Sequence, residues 1–120
     1  MVDRKELVRQ YKEAGTSMGV YRIRNLRNGR SFVGSARDVR GKLNGHLAQL
    51  KMGVHRNREL QRDWNELGPE AFAFEVVDLL EAKHEPDYDP TEDLRVLEEL
   101  WLEKLQPFGD QGYNTPGRRI

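Results

Sequence analysis

The chain has 120 residues, 33% of them charged and 37% hydrophobic, with no cysteine; that is enough for one core without staples, and it excludes disulfides and thiolate metal sites. No apolar run approaches the ~20 residues that span a bilayer, and the start of the chain lacks the apolar core of a signal peptide, so the expectation is a single cytoplasmic domain over residues 1–120. The formal charge of zero hides a split: eleven Lys/Arg stand against three Asp/Glu from Thr16 to Trp64, and three against thirteen from Asn65 to Gln106, which predicts one face for polyanions and one that avoids them.

Asp3 to Ala14 reads as a short amphipathic helix, with Leu7, Val8 and Tyr11 on one side and Gly15 ending it; its role over residues 1–15 is packing. Two alternating runs follow, Val20 to Arg24 and Ser31 to Ser35, around Asn28-Gly29. Asn-Gly supplies the two positive-φ residues of a type I′ turn, so the spacing predicts a β-hairpin with Arg27 opposite Arg30, Asn25 opposite Phe32 and Ile23 opposite Gly34. The two-residue period of a strand then puts Tyr21, Ile23 and Phe32 on one face. A phenol on that face, beside a strand end opened by Gly34, is the first candidate for chemistry.

Val39 to Met52 predicts a helix striped by Val39, Leu43, Leu47 and Leu50, with Lys42 and His46 one turn apart beside the stripe. Gly41 and Gly45 each cost roughly 1 kcal/mol relative to Ala in a helix. Either something approaches this backbone closely or the helix start is loosely specified. Gly53 to Asn57 breaks the chain, and Asn57 is the expected N-cap of a second helix striped by Leu60, Trp64 and Leu67 and closed by Gly68-Pro69. The aromatic and β-branched density of Phe72 to Leu80 predicts a third strand beside the hairpin. Ala82 to Pro90 reads as an acidic loop.

Thr91 is the expected cap of the last helix, with Glu92 and Asp93 at its positive end. Leu94, Leu97, Trp101, Leu102 and Leu105 fall in one arc, Glu98 falls in the middle of it, and Glu99 and Glu103 point away. A carboxylate buried there would need a cation, a metal or a raised pKa, and a salt bridge to one of the arginines is the alternative to a functional role. Pro107 and Gly109 end the helix, Gly112-Tyr113-Asn114 follows, and residues 115–120 read as a flexible tail. Trp64 and Trp101 read as core.

Gly19-Val20-Tyr21 with Phe32-Val33-Gly34 resembles the paired tripeptides of the GIY-YIG nuclease superfamily. Lys42 and His46 stand where that family places an Arg and, four residues on, a His. Gly53-x-His55, Leu60-Gln61 and Phe72-x-Phe74-Glu75 resemble its homing-endonuclease branch, Glu98-x-x-Trp101 is similar to its Glu-x-x-Trp, and Gly112-Tyr113-Asn114 to its closing motif. The resemblance runs from Met18 to Asn114. It implies an α+β fold, a small three-stranded, mainly antiparallel sheet flanked by helices.

It also implies a metal-dependent DNA endonuclease that hydrolyses phosphodiester bonds. In that reading Tyr21 is the general base, Lys42 brings positive charge to the phosphate, and His46 either relays a proton from Tyr21 or hydrogen-bonds its oxygen. Glu98 holds Mg²⁺ or Mn²⁺. His55 and Asn114 orient partners or contact the DNA backbone, and Arg22, Arg24, Arg27, Arg30, Arg37 and Arg40 form a phosphate-contacting surface. Two positions depart from the pattern: Phe32 replaces a Tyr, and Lys42 replaces an Arg whose planar fork would grip phosphate at two points. A module on the same fold that binds nucleic acid without cutting is therefore the alternative, and a protein-interaction domain using the acidic half is a third. With no stretch left for a recognition domain, target selection would fall to DNA shape, a protein partner or self-association.

Overall fold

The computed structural model describes residues 17–83 and 85–116; the helix expected at residues 3–14 and residues 117–120 of the expected tail lie outside them. Strands β1 (Met18–Asn25), β2 (Ser31–Ala36) and β3 (Phe72–Leu80) form one antiparallel sheet in the order β2-β1-β3. Helices α1 (Val39–Met52), α2 (Arg58–Leu67) and α3 (Thr91–Leu105) pack around it, with single 3-10 turns at Pro69–Ala71 and Gly109–Gln111. The α+β architecture read from the sequence is the one observed. Among the described residues no helix is long and apolar enough to cross a membrane.

The hairpin register differs from the expected one. Ile23 pairs with Phe32 and Tyr21 with Gly34, a slip of two residues, because Asn25 turns the chain before Asn28 does. The Asn25 side-chain oxygen accepts from the N–H groups of Arg27 and Asn28, at 2.9 and 3.3 Å, and its carbonyl accepts from Gly29 N–H at 2.8 Å. In this loop only Gly29 takes a positive φ, 79°. Asn28 never adopts the left-handed conformation that a two-residue I′ turn demands, and a four-residue loop results. A slip of two preserves side-chain parity, so Tyr21, Ile23 and Phe32 still share a face.

That face carries the main core. Tyr21 and Ile23 pack with Val39, Leu43 and Leu50 of α1, with Leu60 and Trp64 of α2, and with Phe72 and Tyr113. The other face meets α3: Ser35 and Asp78, both paired with Val20, reach Glu98 and Trp101 of that helix. Trp64 is therefore core, as expected, whereas Trp101 is half-buried and donates its indole N–H to Asp78 at 3.0 Å.

Caps account for the helix limits. Asp38 accepts from Gly41 N–H at 3.0 Å, and Gly53 closes α1 with φ 77°. A Cβ on Gly41 would lie 2.5 Å from the Asp38 carboxylate, while one on Gly45 would meet nothing within 4 Å; of the two alternatives left open for these glycines, a close approach is found at Gly41 alone, and what approaches is the helix's own cap. Asn57 caps α2 by accepting from Leu60 N–H at 3.1 Å. Thr91 is not the cap of α3 but its first residue: Pro90 precedes it, and the Asp89 carboxylate takes the Thr91 N–H and hydroxyl at 3.0 and 2.7 Å.

Candidate active site

Tyr21 lies across β2 at Gly34. A Cβ on Gly34 would sit 2.4 Å from Tyr21 Oη and 2.7 Å from Cζ, so only a glycine lets the ring cross its partner strand. The phenol oxygen meets His46 Nε2 of α1 at 2.8 Å. His46 Nδ1 meets His55 Nε2 at 2.8 Å, and His55 Nδ1 accepts from the backbone N–H of Asn57 at 3.0 Å. The Phe32 ring stands edge-on to both imidazoles, with centroids 5.3 and 5.9 Å away. Where a second tyrosine was the family expectation, an apolar ring walls the two histidines.

Electrostatics follow from that enclosure. Burial, then the neighbouring Glu98 charge, pushes the Tyr21 phenol well above its ordinary pKa. Burial first, then His55 and the Lys42 ammonium, lowers His46 to about 4. Burial also lowers His55. Lys42 and Arg56 line an open cleft of about 520 Å³ with His46 and His55 at its wall.

Glu98 reaches this edge from the opposite face of the sheet. It is half-exposed rather than buried, its Oε1 accepts from the Ser35 hydroxyl at 2.5 Å, and among the described residues it makes no ion pair. The arginine salt bridge weighed from the sequence is therefore not formed there. Such a carboxylate, with no competing cation, fits a hard divalent ion that keeps most of its ligands as water. No group of three or more His, Asp and Glu side chains gathers into a cage among the described residues.

The six candidate arginines divide. Arg22 and Arg24 both grip the buried Glu75 of β3, at 3.0 and 3.1 Å. Arg30 pairs with Glu59, reaches Asp63 and the Gly112 carbonyl at 3.5 and 3.0 Å, and stacks 4.4 Å over Tyr113. Arg37 holds Asp89 and Thr91 at 2.8 and 2.6 Å. Arg27 and Arg40 are exposed, and among the described residues their guanidinium groups have no ion pair. The Asn114 amide is spent on β2, accepting from Val33 N–H at 2.9 Å and donating to Val33 O at 2.8 Å. With Tyr113 N–H on Ser31 O at 2.9 Å, it covers the β2 edge up to Val33, just short of Gly34.

Three contributors escaped the sequence reading. Ser35 orients Glu98; the alternation that exposes Gly34 to Tyr21 puts Ser35 on the other face, which is a readable signal. Gln61 pins the His55 turn, accepting from His55 N–H and donating to Leu50 O, both at 3.0 Å. The backbone N–H of Asn57 leaves no mark in any sequence.

A family model described as the GIY-YIG catalytic domain matches residues 17–114. The intron-associated endonuclease 1 of Enterobacteria phage T4 is 32% identical over 96 residues, which is 80% of this chain and 36% of the phage protein; the chain thus spans about a third of that relative. Two solved structures of the catalytic domain of intron endonuclease I-TevI, one with a single alanine substitution, are similar in fold. Their TM-scores are 0.66 and 0.64 at 26% and 29% identity, covering 82% and 81% of this chain and 92% and 96% of theirs.

Proposed function

The chain belongs to the GIY-YIG catalytic domain family, and from that membership we propose that it is a metal-dependent DNA endonuclease acting at the edge where Tyr21, Lys42, His46 and Glu98 meet. The observation that carries the reading is the Tyr21–His46 hydrogen bond of 2.8 Å, made over a glycine and within the field of Glu98. Water attacks phosphorus as the bond to the leaving oxygen breaks. Tyr21, after giving its own phenolic proton to solvent, takes the proton of that water, and the leaving alkoxide takes one from solvent. Because burial holds Tyr21 as a phenol, it becomes a base only when positive charge collects beside it. The Lys42 ammonium in the cleft supplies some and also offsets charge on the phosphoryl oxygens. His46 steadies the Tyr21 oxygen. Glu98, oriented by Ser35, would hold Mg²⁺ or Mn²⁺, and such an ion, when bound, polarises a phosphoryl oxygen and stabilises the leaving group.

A second reading, binding without cutting, is favoured by Phe32, which brings no hydroxyl to the histidines, and by Lys42, which lacks the two-point grip of a guanidinium. Incubating supercoiled plasmid with the protein and Mg²⁺, Mn²⁺ or EDTA separates the two. Nicking or linearisation that needs the cation and vanishes in Tyr21→Phe supports the nuclease. Gel shifts without cleavage under either metal support the binding module.

A further inference from the structure

The hydrogen-bond chain from Tyr21 to His55 has a direction, and it is set from outside the chain. A backbone N–H can only donate, so the Asn57 N–H, 3.0 Å from His55 Nδ1, requires that nitrogen to be bare. A neutral His55 then carries its hydrogen on Nε2, 2.8 Å from His46 Nδ1, which must be the acceptor. Neutral His46 is left with its hydrogen on Nε2, 2.8 Å from Tyr21 Oη. A proton added to either ring would set two donors face to face at one of these contacts. The geometry itself therefore favours both imidazoles neutral.

We propose that the Asn57 N–H, acting through His55, fixes His46 as a hydrogen-bond donor to Tyr21. His55 is then a positioning residue, and His46 supports the Tyr21 oxygen instead of accepting its proton. The functional meaning rests on the nuclease reading above; the direction of the chain does not. Tyr21 points its own hydrogen away from His46, so on ionisation that proton leaves by a route other than the imidazole, and the His46 N–H remains to bond the phenolate. The donor is well anchored. Asn57 caps α2, and Gln61 ties the His55 backbone to the Leu50 carbonyl near the end of α1.

The direct test is nitrogen NMR of the imidazole rings in the unmutated protein near neutral pH, which reports which nitrogen carries each hydrogen. Both are expected on Nε2; a His46 hydrogen on Nδ1 overturns the proposal. Asn57→Pro and Asn57→Ala then isolate the backbone donor. Both lose the side chain that caps α2 and donates to Tyr113 O, but only proline loses the N–H, and the Asn57 φ of −80° lies within proline's reach. His46 should keep its Nε2 hydrogen in the alanine variant and show mixed tautomers in the proline variant. The proline variant should also cleave about tenfold more slowly than the alanine variant. Identical tautomers in the two variants overturn the role of Asn57. Should Asn57→Pro fail to fold, the unmutated spectrum still decides. A protein that shows the Nε2 pattern but never cleaves removes the nuclease reading and leaves the polarity; one that cleaves with His46 protonated on Nδ1 does the reverse.

Discussion

Gly34→Ala tests whether the Tyr21 ring occupies the space above β2. The new methyl carbon would lie 2.4 Å from Tyr21 Oη, and ordinary contact begins at 3.4 Å, so the oxygen must retreat by about 1 Å. A retreat of that size stretches the 2.8 Å bond to His46 beyond the reach of a hydrogen bond. Overpacking of this kind costs about 1–3 kcal/mol of stability, and a 1 Å misplacement of a reacting group costs on the order of a hundredfold in rate. Chemical denaturation of four proteins provides the assay: unmutated, Gly34→Ala, Tyr21→Ala and the double variant. With the ring removed, Gly34→Ala should cost nothing or stabilise slightly, since alanine restricts an unfolded chain more than glycine does. An equal penalty with and without the Tyr21 ring would refute the geometry. So would a Gly34→Ala protein that cuts plasmid at the unmutated rate.

Glu98→Gln should abolish cation-dependent cleavage while moving the melting temperature little, because Glu98 makes one hydrogen bond to Ser35 and no ion pair among the described residues; a loss of several kcal/mol would assign it a structural role instead. Stability should fall with acid: an unfolded histidine takes a proton from pH 6.5 downward, whereas folded His46 resists until about 4. Its contribution is therefore complete above pH 6.5 and lost as the pH drops to 4, by at most about 3 kcal/mol; urea midpoints across that window that do not change would contradict the lowered value. Replacing Arg40 and Arg56 by Ala should flatten the dependence of log K on log salt by about two units, whereas replacing Arg22 and Arg24 should chiefly lower stability by stranding the Glu75 carboxylate. Gel shifts over a salt series, paired with melting curves, would show the reverse if the hairpin arginines carried the DNA.

The sequence was most legible where one residue alone decides the backbone. Gly53 ends α1 and Asn57 caps α2 because a residue free to take positive φ and a short side-chain oxygen beside free N–H groups have few other uses. The hairpin register was less legible because Asn25 and Asn28 both offer a side-chain oxygen to nearby N–H groups. Asn25 prevails with the help of the Tyr113 hydroxyl, to which its amide donates at 3.0 Å across 88 positions of chain. No local window contains that contact. Strand parity survived the error because a shift of two leaves every side chain on its face, and so Tyr21 was found on the correct side of the sheet from a wrong pairing.

Charge was legible as a count but not as an availability. The basic stretch owes several of its cations to internal partners: β3 brings Glu75 opposite Arg22 and close to Arg24, and Arg30 is taken up by Glu59 and Asp63 from within the same stretch. Sequence distance hid the first engagement and the fold of α2 created the second. Among the described residues, Arg27, Arg40, Lys42, Lys51, Arg56, Arg58 and Lys104 are exposed cations without ion pairs, and all but Arg27 and Lys104 lie on α1, on α2 or in the turn between them. A paired cation presents a near-neutral dipole to a polyanion, while an unpaired one presents its full charge. The field that would draw DNA is thus centred on the two helices that border the cleft, with the hairpin that first suggested it adding only the unpaired Arg27. Such a field would bring a phosphate toward Lys42 and His46, and there the Tyr21 oxygen, held over Gly34, is within one hydrogen bond of the wall.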